Sequence, residues 1–383
     1  MTLSQVYITN ITAFLPNAPV SNESMEPILG QIGRRASRCR KLILRSNQIQ
    51  SRHYAIDPET GKATHSNAQL AAEAIRKFSS QGRDINTIEL LACGTTLPDQ
   101  LLPNHALMVH GELGGPPCEA IATAGICLSG VMALKYGYMA IRARLHTDAV
   151  ATGSENASSI MRGHNFTEEV ELNAEQLKKL SEISFEKDFL RWMLSDGAGA
   201  VWMSDTANSH GNSLRIDWIY QKSYAAELDT CMYAGAEKLA DGSLKGWRQY
   251  LPNEWLQHSI FSVKQDVKLL NEKIIEYTVT KPLVELIAQD KIVAEEVDWF
   301  LPHYSSGYFK DKVYAGTKSA GCDIPQEKWF TNLTSKGNTG SASIFIILEE
   351  LFNSNRLKKG ETLLLYIPES GRFSTAFMRL TVV

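Results

Sequence analysis

The sequence predicts a layered α/β protein, on three observations. Short apolar runs of strand length alternate with segments whose apolar residues recur at helical spacing. The strand-like runs read as buried strands. No internal repeat, low-complexity tract or linker rich in Pro, Gly or Ser breaks the alternation over 383 residues.

In chain order, residues 66–78 form an amphipathic helix with Leu70, Ala71, Ala74, Ile75 and Phe78 on one side. A buried strand follows at 88–93. A largely apolar helix begins at Cys127, with Val131, Leu134, Tyr138 and Ile141 at helical spacing. Further strands are expected at 148–152, 198–203, 214–220 and 297–301. A helix over 340–352 precedes the terminal strands 362–367 and 375–382. Two segments read as insertions, 156–191 (rich in Glu, Lys and Leu) and 224–259 (holding Trp247, Tyr250 and Trp255). Insertions of this length cover an active site, form an oligomer interface or merely decorate the surface.

The composition is that of a soluble globular chain: 44% hydrophobic, 21% charged, net charge −3. The length allows one large core or two fused ones. Near-neutral charge leaves no electrostatic footprint for nucleic acid. The first residues have neither the basic region nor the apolar stretch of a signal peptide, and no apolar run approaches bilayer length. The six cysteines, Cys39, Cys93, Cys118, Cys127, Cys231 and Cys322, form no CxxC pairs and lack His companions at ligand spacing. That argues against a disulfide framework or metal site and for a reducing cytoplasm.

Cys127 lies in Ala-Gly-Ile-Cys127-Leu-Ser-Gly, where a loop becomes a helix and small residues let other backbone and a ligand approach. There the helix dipole is expected to lower the thiol pKa and favour the nucleophilic thiolate. The competing reading is a buried, inert Cys. Downstream, Leu-Pro-His303 ends a buried strand, the usual place for ligand-facing residues in α/β sheets. Asn338, in Gly-Asn338-Thr-Gly-Ser-Ala-Ser, occupies a small-residue turn before an apolar helix. A third turn, Pro-Glu-Ser-Gly371-Arg372-Phe-Ser, joins the last two strands. Each signal alone is weak; three strand-end turns that each offer a reactive or hydrogen-bonding group are informative together.

A Cys, His, Asn order suits a papain-like protease, but that family's signature around the Cys is missing and the Cys-to-His separation exceeds its usual ~130–150 residues. The order, contexts and length instead resemble the thiolase-fold condensing enzymes, specifically the β-ketoacyl-acyl-carrier-protein synthase III group. The Cys127, His303 and Asn338 motifs carry the resemblance, with Ser195-Asp-Gly-Ala-Gly-Ala-Val-Trp and with residues 99–103, similar to a segment that precedes the family's dimer-forming part. It runs from about Val6 to the C-terminus.

The resemblance implies a five-layered αβαβα fold of two pseudo-duplicated halves, here 1–205 (with the insertion) and 206–383, and a homodimer. It implies that Cys127 attacks an acyl thioester and keeps the acyl group. A malonyl- or β-ketoacyl-type extender then becomes a carbon nucleophile, its enolate oxygen stabilised by His303 and the Asn338 amide. The backbone amides of Cys127 and Gly371 are the implied oxyanion donors, and no metal or redox cofactor is needed.

Departures matter too. His303-Tyr-Ser-Ser replaces His-Gln-Ala-Asn. No clear match exists for the Trp and Arg that grip coenzyme A, which favours delivery by an acyl carrier protein. Arg372 replaces a Gly, so a cation could face the pocket or form a structural ion pair. Glu155 ends a buried strand, where a carboxylate would have a raised pKa and could act as a base or be structural. If Glu155 and Arg372 both face the pocket, the chain resembles ketosynthase/cyclases that make dialkylresorcinols or cyclohexanediones. An acidic carrier would dock on a basic rim, for which Lys310, Lys312 and the cluster Arg34, Arg35, Arg38, Arg40, Lys41 and Arg45 are candidates, against a plain solvated face. The alternatives are an acyltransferase of the same fold acting on O or N without carbon–carbon bond formation, and a non-catalytic partner subunit of a condensing heterodimer.

Overall fold

The computed structural model describes residues 3–32, 37, 39–172 and 189–383, without the side chains of 170–172. Among them nine strands join into one sheet. These are β1 (Tyr7–Phe14), β2 (Leu90–Thr95), β3 (Glu119–Ala124), β4 (Asp148–Glu155), β5 (Gly197–Ser204), β6 (Leu214–Ser223), β7 (Trp299–Pro302), β8 (Thr362–Glu369) and β9 (Ser374–Val382). Their order is β7-β8-β9-β6-β1-β5-β4-β2-β3.

The connectivity repeats. β3, β2 and β4 run parallel, and β5 pairs antiparallel with both β4 and β1. Later in the chain β7 and β8 run parallel, and β9 pairs antiparallel with both β8 and β6. A parallel bridge from Phe300 to Trp329 stands where β3 stands in the first set. Among the described residues the sets meet through two strand pairs, Tyr7 with Arg215 and Ile8 with Leu214.

Side-chain alternation along the strands builds the layers. On β8, Leu363, Leu365 and Ile367 enter a central core, while Leu364 and Tyr366 enter an outer one. On β5, Val201 and Met203 face the central core, and Ala198, Ala200 and Trp202 face the opposite outer core. The central core is filled by α3 (Ser129–Arg142) and α7 (Ser343–Phe352). One outer core is closed by α1 (Asn67–Arg76) and α2 (His105–Leu113). The other is closed by α4 (Val267–Ile275), α5 (Lys281–Ala288) and α6 (Lys310–Ser319). This is the five-layered thiolase-type arrangement expected from the sequence.

The elements read from periodicity are present with adjusted ends. The first helix is shorter at both ends: Ser66 caps it in a capping box with Gln69, and from Lys77 it passes into a 3-10 helix. The last helix begins at Ser343, after a 3-10 turn over Gly340–Ala342. Strands β1 and β3 carry too many small and polar residues for an apolar-run reading. In the first insertion, Val170 and Leu172 fall within the helix Thr167–Leu172, whereas Leu177, Leu180 and Ile183 lie outside the described residues, as do Arg34, Arg35 and Arg38. Among the described residues, no helix is long and apolar enough to cross a membrane.

Candidate active site

The Cys127 turn is tighter than the sequence suggests. Helix α3 starts at Ser129 with Leu128 as its N-cap, so Cys127 stands two residues ahead of the helix rather than at its first position. The Ser129 amide and hydroxyl both donate to the Ile126 carbonyl (3.1 and 2.8 Å), and Thr123 Oγ1 donates to the Ser129 carbonyl at 2.7 Å. These bonds close the turn that carries Cys127.

Cys127 and His303 line one small cavity of about 30 Å³, with Leu270, Ile274, Ile275, Tyr366 and Ser370 among its walls. The Cys127 thiol is buried, and this pushes its pKa up rather than down; the nearby charges of Glu155 and Glu369 push it further the same way. The expected lowering by the helix is thus outweighed by desolvation, and the resting group is a neutral thiol. His303 follows β7, and its amide donates to the Tyr366 carbonyl at 2.8 Å. Burial depresses the imidazole pKa to about 4, so the ring is neutral near pH 7 and keeps one N–H to donate.

Asn338 is fixed by backbone. Its amide donates to the Met193 carbonyl at 3.0 Å, and its carbonyl accepts from Ser195 at 2.8 Å. Its side-chain Oδ1 accepts the Gly340 N–H at 3.0 Å, which leaves the Nδ2 hydrogens as the free end. The glycines explain how this loop gets so close. A Cβ on Gly153 would lie 2.2 Å from the Ser341 carbonyl oxygen, and one on Gly130 would lie 2.6 Å from it. The small residues around Cys127 therefore admit backbone, as their sequence suggests.

Glu155 ends β4 and is buried. Its Oε1 accepts from the Thr96 and Ser341 amides, each at 3.1 Å, and from the Thr96 hydroxyl. Burial outweighs those bonds and raises its pKa to about 7. Gly340, at φ +53°, packs on it; a Cβ there would lie 2.8 Å from Glu155 Cγ.

The final turn departs most from expectation. Arg372 is exposed, and its Nε donates to the Leu228 carbonyl at 2.9 Å. The side chain turns outward to the second insertion, away from the Cys127 cavity. Gly371 donates its amide to Glu369 Oε1 at 2.6 Å, so that N–H is already taken. Glu369, whose pKa burial raises, is the acidic neighbour of Cys127 that sequence reasoning missed, although its turn was singled out. The second insertion is tied to this turn: Cys231 and Met232 donate to the Gly371 carbonyl and Tyr224 to that of Phe373.

Farther out, Lys310 and Lys312 sit half-buried on the first turn of α6, beside Phe309 and Val313, which line the cavity. Lys312 Nζ donates to the Tyr308 hydroxyl at 2.6 Å. Arg40 pairs with Glu26 at 3.1 Å and lies over the Trp192 ring, which turns it inward; Lys41 and Arg45 are exposed. No group of His, Cys, Asp and Glu among the described residues is arranged to hold a metal.

Comparison with known proteins points the same way. Residues 287–371 match the model of the 3-oxoacyl-[acyl-carrier-protein (ACP)] synthase III C-terminal family. The chain is 27% identical over 318 residues to a β-ketoacyl-[acyl-carrier-protein] synthase III of Clostridium perfringens, covering 83% of each. It is 24% identical over 362 residues to the enzyme of that name from Xanthomonas oryzae pv. oryzae, covering 94% of this chain and 93% of that one. Among solved structures, AbyA1, described as a tetronic acid condensing enzyme, superposes with a TM-score of 0.74 at 18% identity, covering 98% and 99% of the two chains. Xanthomonas campestris OleA, solved with bound lauric acid and lauroyl-CoA, gives 0.71 at 20% identity, covering 99% of each. From its layers, its topology and these relatives, the chain is a thiolase-fold condensing enzyme of the β-ketoacyl-acyl-carrier-protein synthase III-like type, an acyltransferase.

Proposed function

We propose that Cys127 carries the acyl group and that His303 and Asn338 serve the carbon–carbon bond-forming step. The observation that carries this reading is one cavity walled by the Cys127 thiol and a neutral His303, with Asn338 Nδ2 free of any hydrogen bond among the described residues. In the first stage the sulfur attacks an acyl thioester; the carbonyl π pair moves to oxygen, and collapse expels the donor thiolate, which takes the proton Cys127 gives up. In the second, a malonyl- or β-oxoacyl extender loses CO₂ or a proton. The resulting enolate carbon attacks the acyl-cysteine, forming the new C–C bond and breaking the C–S bond. Cys127 leaves as a thiolate and takes a proton from solvent, which on the non-decarboxylative path offsets the one the extender gave up to solvent. Neutral imidazole N–H and amide N–H₂ suit an enolate oxygen, because neither must change protonation state to donate.

Delivery by an acidic acyl carrier protein is supported by Lys310 and Lys312 beside the cavity wall. A homodimer is supported by the open edge of β3, which pairs only with β2 among the described residues, and by exposed Leu101 and Leu102 on the loop before α2. We place the boundary between the halves 1–205 and 206–383 in the connection from β5 to β6. Glu155 is proposed as the group that can take a proton if cyclisation follows condensation. The outward Arg372 removes the cation that the resorcinol-type reading asked of this turn.

Single-turnover loading with an acyl thioester, followed by addition of a malonyl thioester, tests the assignment. Cys127→Ala should abolish both stages, and Asn338→Ala only the second. If Asn338→Ala leaves product formation intact, simple acyl transfer to O or N becomes the better reading.

A further inference from the structure

Glu369 stands in the site without a part in the scheme above. Its Oε1 is 2.6 Å from the Gly371 amide nitrogen. A Cβ built on Gly371 would lie 2.2 Å from that oxygen and 2.9 Å from Cδ1 of Ile126, the residue before Cys127. The carboxylate thus lies against Gly371 beside the nucleophile turn. Pro368 and Ser370 line the Cys127 cavity and the charge of Glu369 is felt by the thiol, so this hydrogen bond forms beside the cavity wall.

An amide N–H offers one hydrogen. If Gly371 stabilises the oxyanion on the acyl carbon, that oxygen and Glu369 Oε1 compete for the same donor. A fixed negative charge beside a developing one would also oppose attack. Gly371 is not the only partner of the Glu369 carboxylate, since the Ser374 hydroxyl and the Ser374 and Arg372 amides also stabilise it. These contacts can hold the carboxylate when it gives up the Gly371 N–H.

We propose that Glu369 is a positioning residue that closes the Gly371 amide in the resting enzyme and yields it to the acyl oxygen when a thioester enters. The proposal rests on the reading of Cys127 as nucleophile and Gly371 as oxyanion donor. The covalent step is the one already balanced above: sulfur–carbon bond formation, the π pair onto oxygen, then loss of the donor thiolate with the cysteine proton. Glu369 neither gains nor loses a bond to the substrate. It sets whether the donor is free when the negative oxygen forms, and it keeps an empty site from offering a finished oxyanion hole.

Two rates on the full-length protein separate this role from a merely structural one. Iodoacetamide alkylation of Cys127 reports thiolate availability and needs no oxyanion donor, whereas loading from an acyl-pantetheine thioester needs both. Loss of the negative charge should speed both reactions in Glu369→Ala. Acylation should gain about tenfold more than alkylation, because only acylation uses the freed amide. Glu369→Gln should fall between, since its side-chain oxygen still accepts the Gly371 N–H. Gly371→Ala displaces Oε1 through the added methyl while keeping the N–H; it should raise the same ratio and serves if Glu369→Ala does not fold. A ratio unchanged or lowered in these variants, with wild-type Cys127 still acylated, overturns the role of Glu369 alone. A wild-type protein that takes no acyl group on Cys127 overturns the nucleophile reading, and this proposal with it.

Discussion

Asn338 Oδ1 accepts the Gly340 N–H at 3.0 Å, and that bond decides which end of the side-chain amide is free. With the oxygen committed, Nδ2 is left to donate. Asn338→Ala should therefore keep acylation of Cys127 while lowering condensation by roughly 10²–10³-fold, the usual cost of one lost oxyanion donor. Asn338→Asp should lose more, because its first oxygen takes the Gly340 N–H and its second turns a negative charge toward the enolate. Acyl-enzyme and product, quantified separately in one quench series, check both variants.

Gly153 holds the loop that carries Asn338. A methyl group there would sit 2.2 Å from the Ser341 carbonyl oxygen and 2.8 Å from its carbon, both rigid backbone atoms. Gly153→Ala should destabilise the fold by about 1–3 kcal/mol, the range for overpacking a tight interior. Activity should fall as well, since the Ser341 amide also binds Glu155. The urea midpoint measures the first effect, and a cost below about 0.5 kcal/mol would show that the close approach is not tight.

Glu155 gives a pH signature. Its folded pKa of about 7 lies above the ordinary value of 4.5, so between those values the folded state binds more protons than the unfolded one. Stability from this group is therefore lost as pH rises from 4.5 to 7 and is level above that. His303, depressed from 6.5 to about 4, works in the opposite sense, adding stability as pH rises from 4 to 6.5. Subtracting the Glu155→Gln curve from wild type cancels the His303 contribution. The variant should gain on wild type by up to about 3 kcal/mol at pH 8, with no such gain below pH 4.5. Denaturant titrations at several pH values read this directly.

Chain length should respond at Ile275. This half-buried residue ends α4 and lines the cavity with Tyr366, ahead of a π-turn over Glu276–Thr280. The turn is pinned where Thr278 Oγ1 donates to the Ile274 carbonyl and meets the Tyr366 hydroxyl at 2.7 Å. Ile275→Ala should shift the kcat/KM preference toward longer acyl donors by roughly tenfold, about what two newly buried methylenes contribute. A panel of acyl thioesters differing by two carbons would show it, and an unchanged preference would place the acyl chain elsewhere.

Local signals were enough to mark part of this candidate site and could not mark the rest. Cys127, His303 and Asn338 each stand at a strand-end turn, where short-range pattern and small residues mark the place. The resting state of the thiol was beyond such signals, because the depth that burial gives Cys127 comes from packing between distant segments. The direction of Arg372 was likewise hidden. It follows from the Glu369–Ser374 register of the β8–β9 turn and the left-handed backbone of Phe373 at φ +59°. The same geometry turns Glu369 inward, so a turn read for its arginine and glycine holds its effect in its acid. Strand β3 escaped notice because Glu-Ala-Ile-Ala-Thr-Ala is too small and polar to read as an apolar run.

The most direct test of the central claim is intact-protein and peptide mass spectrometry after brief exposure to an acyl thioester. All six cysteines are free; Cys39 and Cys118 are partly accessible, whereas Cys127 is buried. The account predicts one acyl group per chain, on Cys127, absent from Cys127→Ala. An adduct that persists in Cys127→Ala, or one found on Cys39 or Cys118 with Cys127 unmodified, would contradict it.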